Sequence, residues 1–251
     1  MTQGNEIHFD SVTKWFPAQT EGAEPFRAVE GLSIDIARGE MVALLGKTGC
    51  GKSTTFNLIA GLMEPSEGTV RVQGLDPFRS FDDLRGKIAV VFQNDRLLPW
   101  RSAIGNVELG LEMLNKPAPE RRETAQFWLS RLGLAGHESD FPHALSGGMR
   151  QRVSIARAFA TDASILLCDE PFSSLDEITG QRLREEFASL VRENGKTAVF
   201  ITHSINEALQ IGQRVIVMTR PARIAYDIRL GVDAASGPDE IRSRIQEVLA
   251  A

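Results

Sequence analysis

Residues Gly46-Lys47-Thr48-Gly49-Cys50-Gly51-Lys52-Ser53 constrain this chain more than any other stretch. An apolar run, Met41-Val42-Ala43-Leu44-Leu45, precedes them and reads as a short buried strand. Thr54-Thr55-Phe56-Asn57-Leu58-Ile59-Ala60 follows and continues a helix that opens at Lys52. Strand, glycine loop, Lys-Ser and helix, in that order, are the context of a phosphate-binding loop. Glycines let the main chain curl so that successive N–H groups point inward, and they keep side chains out of the way of an anion. The helix adds the positive end of its dipole at the same place. Lys52 brings a full charge for the β- and γ-phosphates, and the Ser53 hydroxyl suits Mg²⁺. A plain turn does not need three glycines at these offsets before Lys-Ser, so a nucleoside triphosphate is expected here. The loop alone does not say which one.

With 251 residues, 42% of them hydrophobic and 24% charged, the chain suits one large α/β domain or a domain with an insertion. Its net charge of −5 gives no nucleic-acid footprint. Mixed-sign clusters such as Glu120-Arg121-Arg122-Glu123 read as solvated helix faces. No apolar run approaches the roughly 18 residues of a membrane span. Met1–Asp10 lacks a basic region followed by an apolar core, so no signal peptide is expected there. Cys50 and Cys168 sit inside motifs rather than in a disulfide framework, which fits a reducing compartment. Cys50, at a helix start in the phosphate loop, is expected to react with thiol reagents, and Cys168, on a buried strand, only after unfolding.

Strands are expected over Ile7–Phe16, Leu32–Ala37 and Thr69–Gln73, with Pro17–Pro25 a polar loop. Trp15 and Phe16 each offer a flat ring for stacking on a base or for core packing. Ile88–Phe92 is a further apolar run, ended by Gln93, whose amide can meet a metal and a water or cap backbone groups. Leu97-Leu98-Pro99-Trp100 then carries apolar side chains on a loop, the mark of a partner surface unless they tuck under the next helices. Ser102–Asn115 and Pro119–Leu134 read as helices that interrupt the strand–helix alternation. Leu145-Ser146-Gly147-Gly148-Met149 opens another helix, Met149–Thr161, and a Ser cap followed by two glycines is a second anion-ready helix start.

Ser164–Asp169 is a buried strand ending in Asp169-Glu170-Pro171. Neighbouring strand residues point to opposite sides, so the two acids take different tasks. Asp169 is placed to hold Mg²⁺, and Glu170 to take a proton from, or orient, an attacking water. Ser173–Asp176 is a short loop, and Glu177–Glu193 an amphipathic helix. Thr197–Thr202 is a strand that ends at His203, which can donate to a γ-phosphate or serve structure alone. Val215–Thr219 and Arg223–Ile228 read as strands, and Pro238–Leu249 as a closing helix.

Taken in order, the motifs resemble the ATP-binding subunit of ABC transporters over nearly the whole chain. They are the Walker A loop Gly46–Ser53, the Q-loop Gln93, the signature Leu145–Met149, Walker B through Asp169 with Glu170, and the switch His203. The resemblance implies an α/β fold. A P-loop NTPase core, a mostly parallel sheet with flanking helices, carries an N-terminal antiparallel β subdomain and an α-helical insertion. Residues 1–94 and 156–251 form the core and residues 95–155 the helical part. It also implies ATP and Mg²⁺ and a head-to-tail homodimer with two ATP molecules between subunits. Each ATP then touches residues 46–54, from Gly46 through Thr48 and Gly49 to Ser53 and Thr54, together with Phe16 or Trp15. Ser146, Gly147, Gly148 and Asp176 reach it from the partner. Lys52, Gln93, Glu170 and His203 are the catalytic set, with Ser53, Gln93 and Asp169 around Mg²⁺.

Phe92-Gln93-Asn94, Leu97–Trp100 and Met218-Thr219-Arg220-Pro221 with Arg223-Ile224 look like the nitrate, sulfonate and taurine-type importer ATPases. Met149 stands where the commonest signature has Gln, Ser204 where Asp often follows the switch His, Cys168 where an apolar residue precedes Asp169, and Ala222 where the subgroup often has Gly. None of these handles phosphate charge. The expectation is an importer ATPase for a small anionic solute, peripheral on the cytoplasmic face of the plasma membrane. It works with permease subunits and an extracytoplasmic binding protein, and without nucleic acid. Another ABC importer or an exporter shares every catalytic motif. A soluble ABC ATPase would usually show a coiled-coil insertion or two cassettes.

Overall fold

The computed structural model describes residues 5–18, 24–231 and 237–250. Residues 19–23 of the expected Pro17–Pro25 loop, and residues 1–4 of the Met1–Asp10 segment, lie outside the described residues. The chain forms two compact units, Met1–Leu84 with Val191–Ala251, and Arg85–Leu190.

In the first unit, β1 (Asn5–Phe16) pairs antiparallel with β2 (Phe26–Ala37). Leu32, Ile34 and Ile36 of β2 point inward while Ser33 and Asp35 face solvent, the alternation of a half-buried strand. β2 begins at Phe26, earlier than that alternation indicates, because its first residues pair with the end of β1, Phe26 opposite Phe16. After β3 (Met41–Leu45) and α1 (Lys52–Ile59) comes β4 (Glu67–Val72), which completes the antiparallel sheet on the other side of β1.

All five residues of β3 are buried, as a parallel strand covered on both faces requires. It lies parallel to β7 (Thr197–Thr202) and to β8 (Arg214–Thr219), and β9 (Arg223–Arg229) adds antiparallel to β8. Ala43 and Leu45 join Val215, Val217 and Ile228 in a core covered by Ala208 of α6 (Ile205–Ile211) and by Ile241 and Ile245 of α7 (Pro238–Ala250). Arg214 is buried at the edge of this core. It donates to both Asp227 carboxylate oxygens at 2.7 and 2.6 Å and to the Asp35 carbonyl at 2.7 Å. The Asp227 hydrogen bonds hold its guanidinium above the usual arginine range. Removing one partner of such a pair leaves a charge poorly solvated. Asp227→Ala is therefore expected to cost on the order of 2 kcal/mol, less than the ~3–5 of a fully buried pair, read as a lower urea midpoint.

In the second unit, β5 (Ile88–Val91) and β6 (Ile165–Asp169) pair in parallel. The helices α2 (Ala103–Met113), α3 (Ala118–Arg131) and α4 (Gly147–Ala160) pack on one another, and most of α5 (Glu177–Glu193) belongs here too. A file of aromatic rings forms the core: Trp128 lies 4.9 Å from Phe159, Phe159 5.5 Å from Phe187, and Phe187 5.9 Å from Phe172. Ser102 caps α2, accepting from the Gly105 amide, as its sequence position suggests. The α/β class expected from the pattern is the one observed. The helix missed is α6, seven residues long, for which Ser204 supplies the cap by accepting from the Glu207 amide at 3.3 Å.

Candidate nucleotide site

The phosphate loop and the start of α1 belong to the first unit. Gly51 is the residue before α1, at φ +103°, and no side chain caps the helix. A helix start without a side-chain cap leaves its first N–H groups for an anion. The three glycines serve different ends. Gly49, at φ +81°, has nothing within 4 Å of where a Cβ would stand, so conformation alone requires glycine. A Cβ on Gly51 would lie 2.3 Å from the Ala28 carbonyl oxygen and 2.7 Å from the Ala222 Cβ. One on Gly46 would lie 2.6 Å from the Cys50 Sγ and 2.7 Å from the Met218 carbonyl oxygen. The loop is thus backed by the turn from β8 to β9. That turn is stitched to β2, with the Ala222 amide donating to the Ala28 carbonyl at 2.9 Å and the Glu30 amide to the Ala222 carbonyl at 3.2 Å.

Lys52 is buried, and its Nζ donates to the carbonyls of Gly46 at 2.6 Å and Lys47 at 3.1 Å. Lys47, Thr48, Gly49 and Ser53 are exposed and Thr54 half-buried. Cys50 is 3% exposed, with its sulfur turned toward Gly46. The expectation of a readily modified thiol is therefore corrected: the side chain packs under the loop, so reagents reach it slowly. Cys168 is fully buried, and burial with the neighbouring Asp169 pushes its thiol far up, as an inert thiol requires.

His203 is exposed just beyond β7. The residues that fix the main chain there were not evident from sequence. Thr202 Oγ1 donates to the buried Glu207 carboxylate at 2.6 Å and accepts from the Ser204 amide at 3.0 Å. Trp15 is the more open of the two candidate aromatics, and Phe16 stacks on Phe26 with ring centroids 6.4 Å apart. The Arg220 guanidinium lies over the Phe26 ring at 5.1 Å.

The other candidates belong to the second unit. Gln93 is exposed, two residues beyond β5. The loop behind it is held by Asn106, fully buried on α2. Asn106 accepts from the Leu98 amide at 2.7 Å and donates to the carbonyls of Leu98, Arg101 and Ser102 at 3.2, 3.0 and 3.1 Å. An asparagine inside a helix was the one available signal, since such a residue commonly bonds main chain. Leaving those groups unpaired is costly, so Asn106→Leu is expected to lower the melting temperature by several degrees, on a loss of about 2 kcal/mol. Leu97 is buried and Leu98 half-buried, so of the expected apolar surface Trp100, 71% exposed, is the large side chain that stands free, beside the exposed Pro99.

Ser146 caps α4, accepting from the Met149 amide at 3.3 Å, and with Gly147 it is exposed. A Cβ on Gly148 would approach Thr179 at 3.3 Å and Leu175 at 4.0 Å. The signature start therefore packs against the segment that carries Asp176. Asp176 accepts from the Thr179 amide at 3.0 Å, which holds its carboxyl below the usual carboxylate range. That cap is present at neutral pH and is lost as pH falls through the lowered value. β6 ends at Asp169, and Glu170 has left-handed φ of +44°. The Glu170 side chain is thus aimed by a turn, not by strand alternation as its sequence position suggested. The Ser173 hydroxyl and amide both donate to its carbonyl, at 3.0 and 3.3 Å. A non-glycine residue held there is strained and clusters with function.

A family profile described as ABC transporter matches residues 29–173. The taurine import ATP-binding protein TauB of Yersinia pestis bv. Antiqua is 45% identical over 192 residues, 76% of this chain and 74% of that one. TauB of Rhizobium johnstonii is 45% identical over 198 residues, 78% and 74% of the two chains. Among solved structures, the dimeric post-hydrolysis state of the ATP-binding cassette MJ0796, bound to ADP and Pi, matches with TM-score 0.78 at 35% identity. It covers 89% of this chain and 98% of the other. The phosphate loop, the capped signature helix and the strained Glu170 thus sit in a chain that belongs to the ABC transporter family, as an ATP-binding ATPase resembling the taurine-type import proteins.

Proposed function

We propose that this ATPase powers uptake of a small anionic solute of the nitrate, sulfonate or taurine class through separate permease subunits. Trp100 carries the reading: a large apolar side chain, 71% exposed, ends the loop that begins at Gln93, and Asn106 pins that loop from inside. Two relatives named for taurine import support the solute class. No helix among the described residues is long and apolar enough to cross a membrane. In this reading the chain docks on a permease at the cytoplasmic face, as its taurine-import relatives suggest. A binding protein outside the membrane delivers the solute, and no nucleic acid is involved.

Phosphoryl transfer to water needs positioning and charge neutralisation. Lys52 and the amides of residues 46–54 neutralise phosphate charge. Ser53, Gln93 and Asp169 offer the hard oxygen donors that Mg²⁺ takes, and the bound ion would neutralise the β- and γ-oxygens. Glu170 accepts the proton of the attacking water, and His203 donates to the γ-phosphate. Trp15 or Phe16 stacks on the adenine. Two copies of the chain pair head to tail, each offering Ser146, Gly147, Gly148 and Asp176 to the other's ATP. Residues 95–155 serve as the helical part that faces the permease, and residues 1–94 and 156–251 as the nucleotide core.

The test is transport in cells that lack this chain. Loss of labelled taurine, sulfonate or nitrate uptake, restored by the chain but not by Lys52→Ala, supports the proposal. Unchanged uptake with a defect in efflux would turn the reading to an exporter.

A further inference from the structure

The loop after Gln93 is fastened to α4 by side chains that take no part in holding phosphate or metal. Arg150 Nε donates to Asp95 Oδ2 at 3.0 Å, and its Nη1 to the Leu145 carbonyl at 2.8 Å. One arginine thus joins the loop to the residue just before Ser146. Arg157, about two turns further along the same face of the helix, donates to the carbonyls of Asp95 at 2.8 Å and Arg96 at 2.9 Å. Gln151, fully buried between them, donates to the Phe92 carbonyl at 3.4 Å. Asp95 Oδ1 accepts from the Leu97 amide at 3.1 Å, and Arg96 holds φ +47° with its guanidinium 3.7 Å from the centre of the Phe92 ring.

This arrangement is not explained as a stabilising device. The Asp95 and Arg150 side chains are 27% and 36% exposed, and ion pairs that solvent reaches in this way contribute little. Arg157 directs its donors at two main-chain carbonyls, and burial lowers its pKa. What the set does is remove freedom: a strained loop conformation is over-determined from three positions on one helix, Arg150, Gln151 and Arg157.

We infer that Asp95, with Arg150 and Arg157, is a positioning set that makes residues 92–97 and the start of α4 one body, so that a displacement of Gln93 is passed to Ser146–Gly148. The inference rests on the roles proposed above, Gln93 serving the chain's own ATP and Ser146–Gly148 the partner's. Under those roles the set couples the two ATP sites of the pair. Occupancy at one site alters the signature contact at the other, and coupling of this kind is reciprocal.

The test is a double-mutant cycle. ATPase rate against ATP concentration is measured for the wild type, Asp95→Ala, Arg150→Met and the double variant, with Asp95→Glu as the conservative exchange. The wild type should show a Hill coefficient rising toward ~2, the limit for two sites. Each single variant should fall to ~1 and lose about 10-fold in turnover, and the double should be no worse than either. Asp95→Glu should keep cooperativity. Melting temperatures should stay within about 3 °C, the scale of an exposed pair. The half-point of ATP-driven dimerisation should rise for the single variants when each is combined with Glu170→Gln. An unmoved Hill coefficient in the variants, additive losses, or losses that follow the melting temperature overturn the inference. A wild-type Hill coefficient of 1 overturns the paired-site reading beneath it, and the coupling with it.

Discussion

Glu170→Gln is expected to bind ATP as the parent chain does while hydrolysing it about 10²–10⁴-fold more slowly, the span of a lost general base. The amide keeps the size and much of the hydrogen bonding of the carboxylate but cannot accept the proton of an attacking water. Backbone strain at φ +44° is the same for both side chains, so the fold should not register the exchange. Because ATP would persist, an ATP-dependent dimer should accumulate on size-exclusion chromatography. Single-turnover hydrolysis and dimer fraction, measured together, check this. Near-normal turnover would remove Glu170 from the mechanism, and loss of ATP binding would show that the substitution had disturbed the site.

Trp100→Ala is expected to leave the ATPase of the separate chain largely intact and to reduce solute uptake to background. A tryptophan 71% exposed adds little to the chain's own core, and such residues dominate interfaces when a partner covers them. A hot spot of about 2 kcal/mol weakens docking roughly 30-fold. Leu97→Asp is the contrast. Leu97 is buried, so a charge there should lower the melting temperature and the basal ATPase rate together. Uptake, basal hydrolysis and melting measured on both variants separate a docking surface from internal packing. If Trp100→Ala loses stability and hydrolysis as Leu97→Asp does, the docking role is gone.

The phosphate loop was legible because everything it needs is local. Strand, glycines, Lys52-Ser53 and helix lie within twenty residues, and each has its own chemical reason. The buried strand β6 was legible for the same reason, but the aim of Glu170 was not. Strand alternation stops at Asp169, and a left-handed φ in a glutamate leaves no trace in composition. The contacts of Asp95 with Arg150 and Arg157 span 55 and 62 residues, and an Arg-rich helix start reads equally well as a solvated face. Leu97 and Trp100 are three residues apart on one loop, yet one is buried and the other exposed. Asn106 decides that by taking up the loop's main chain, which no hydropathy pattern reports. Helix α6 escaped because its seven residues are too few for periodicity to show.

Surface connections ordinarily absorb insertions and deletions with little cost. The connection from β8 to β9 should not. The Met218 carbonyl at the end of β8 and the Ala222 methyl in the turn stand where side chains on Gly46 and Gly51 would be, and the turn's main chain is bonded to Ala28 of β2, whose carbonyl also lies against Gly51. One added residue would push the turn into the phosphate loop or pull it off Ala28. A larger side chain at position 222 would meet Gly51, which has no side chain to give up. The length of this turn and the smallness of Ala222 are therefore part of how the chain holds a triphosphate, although neither touches one.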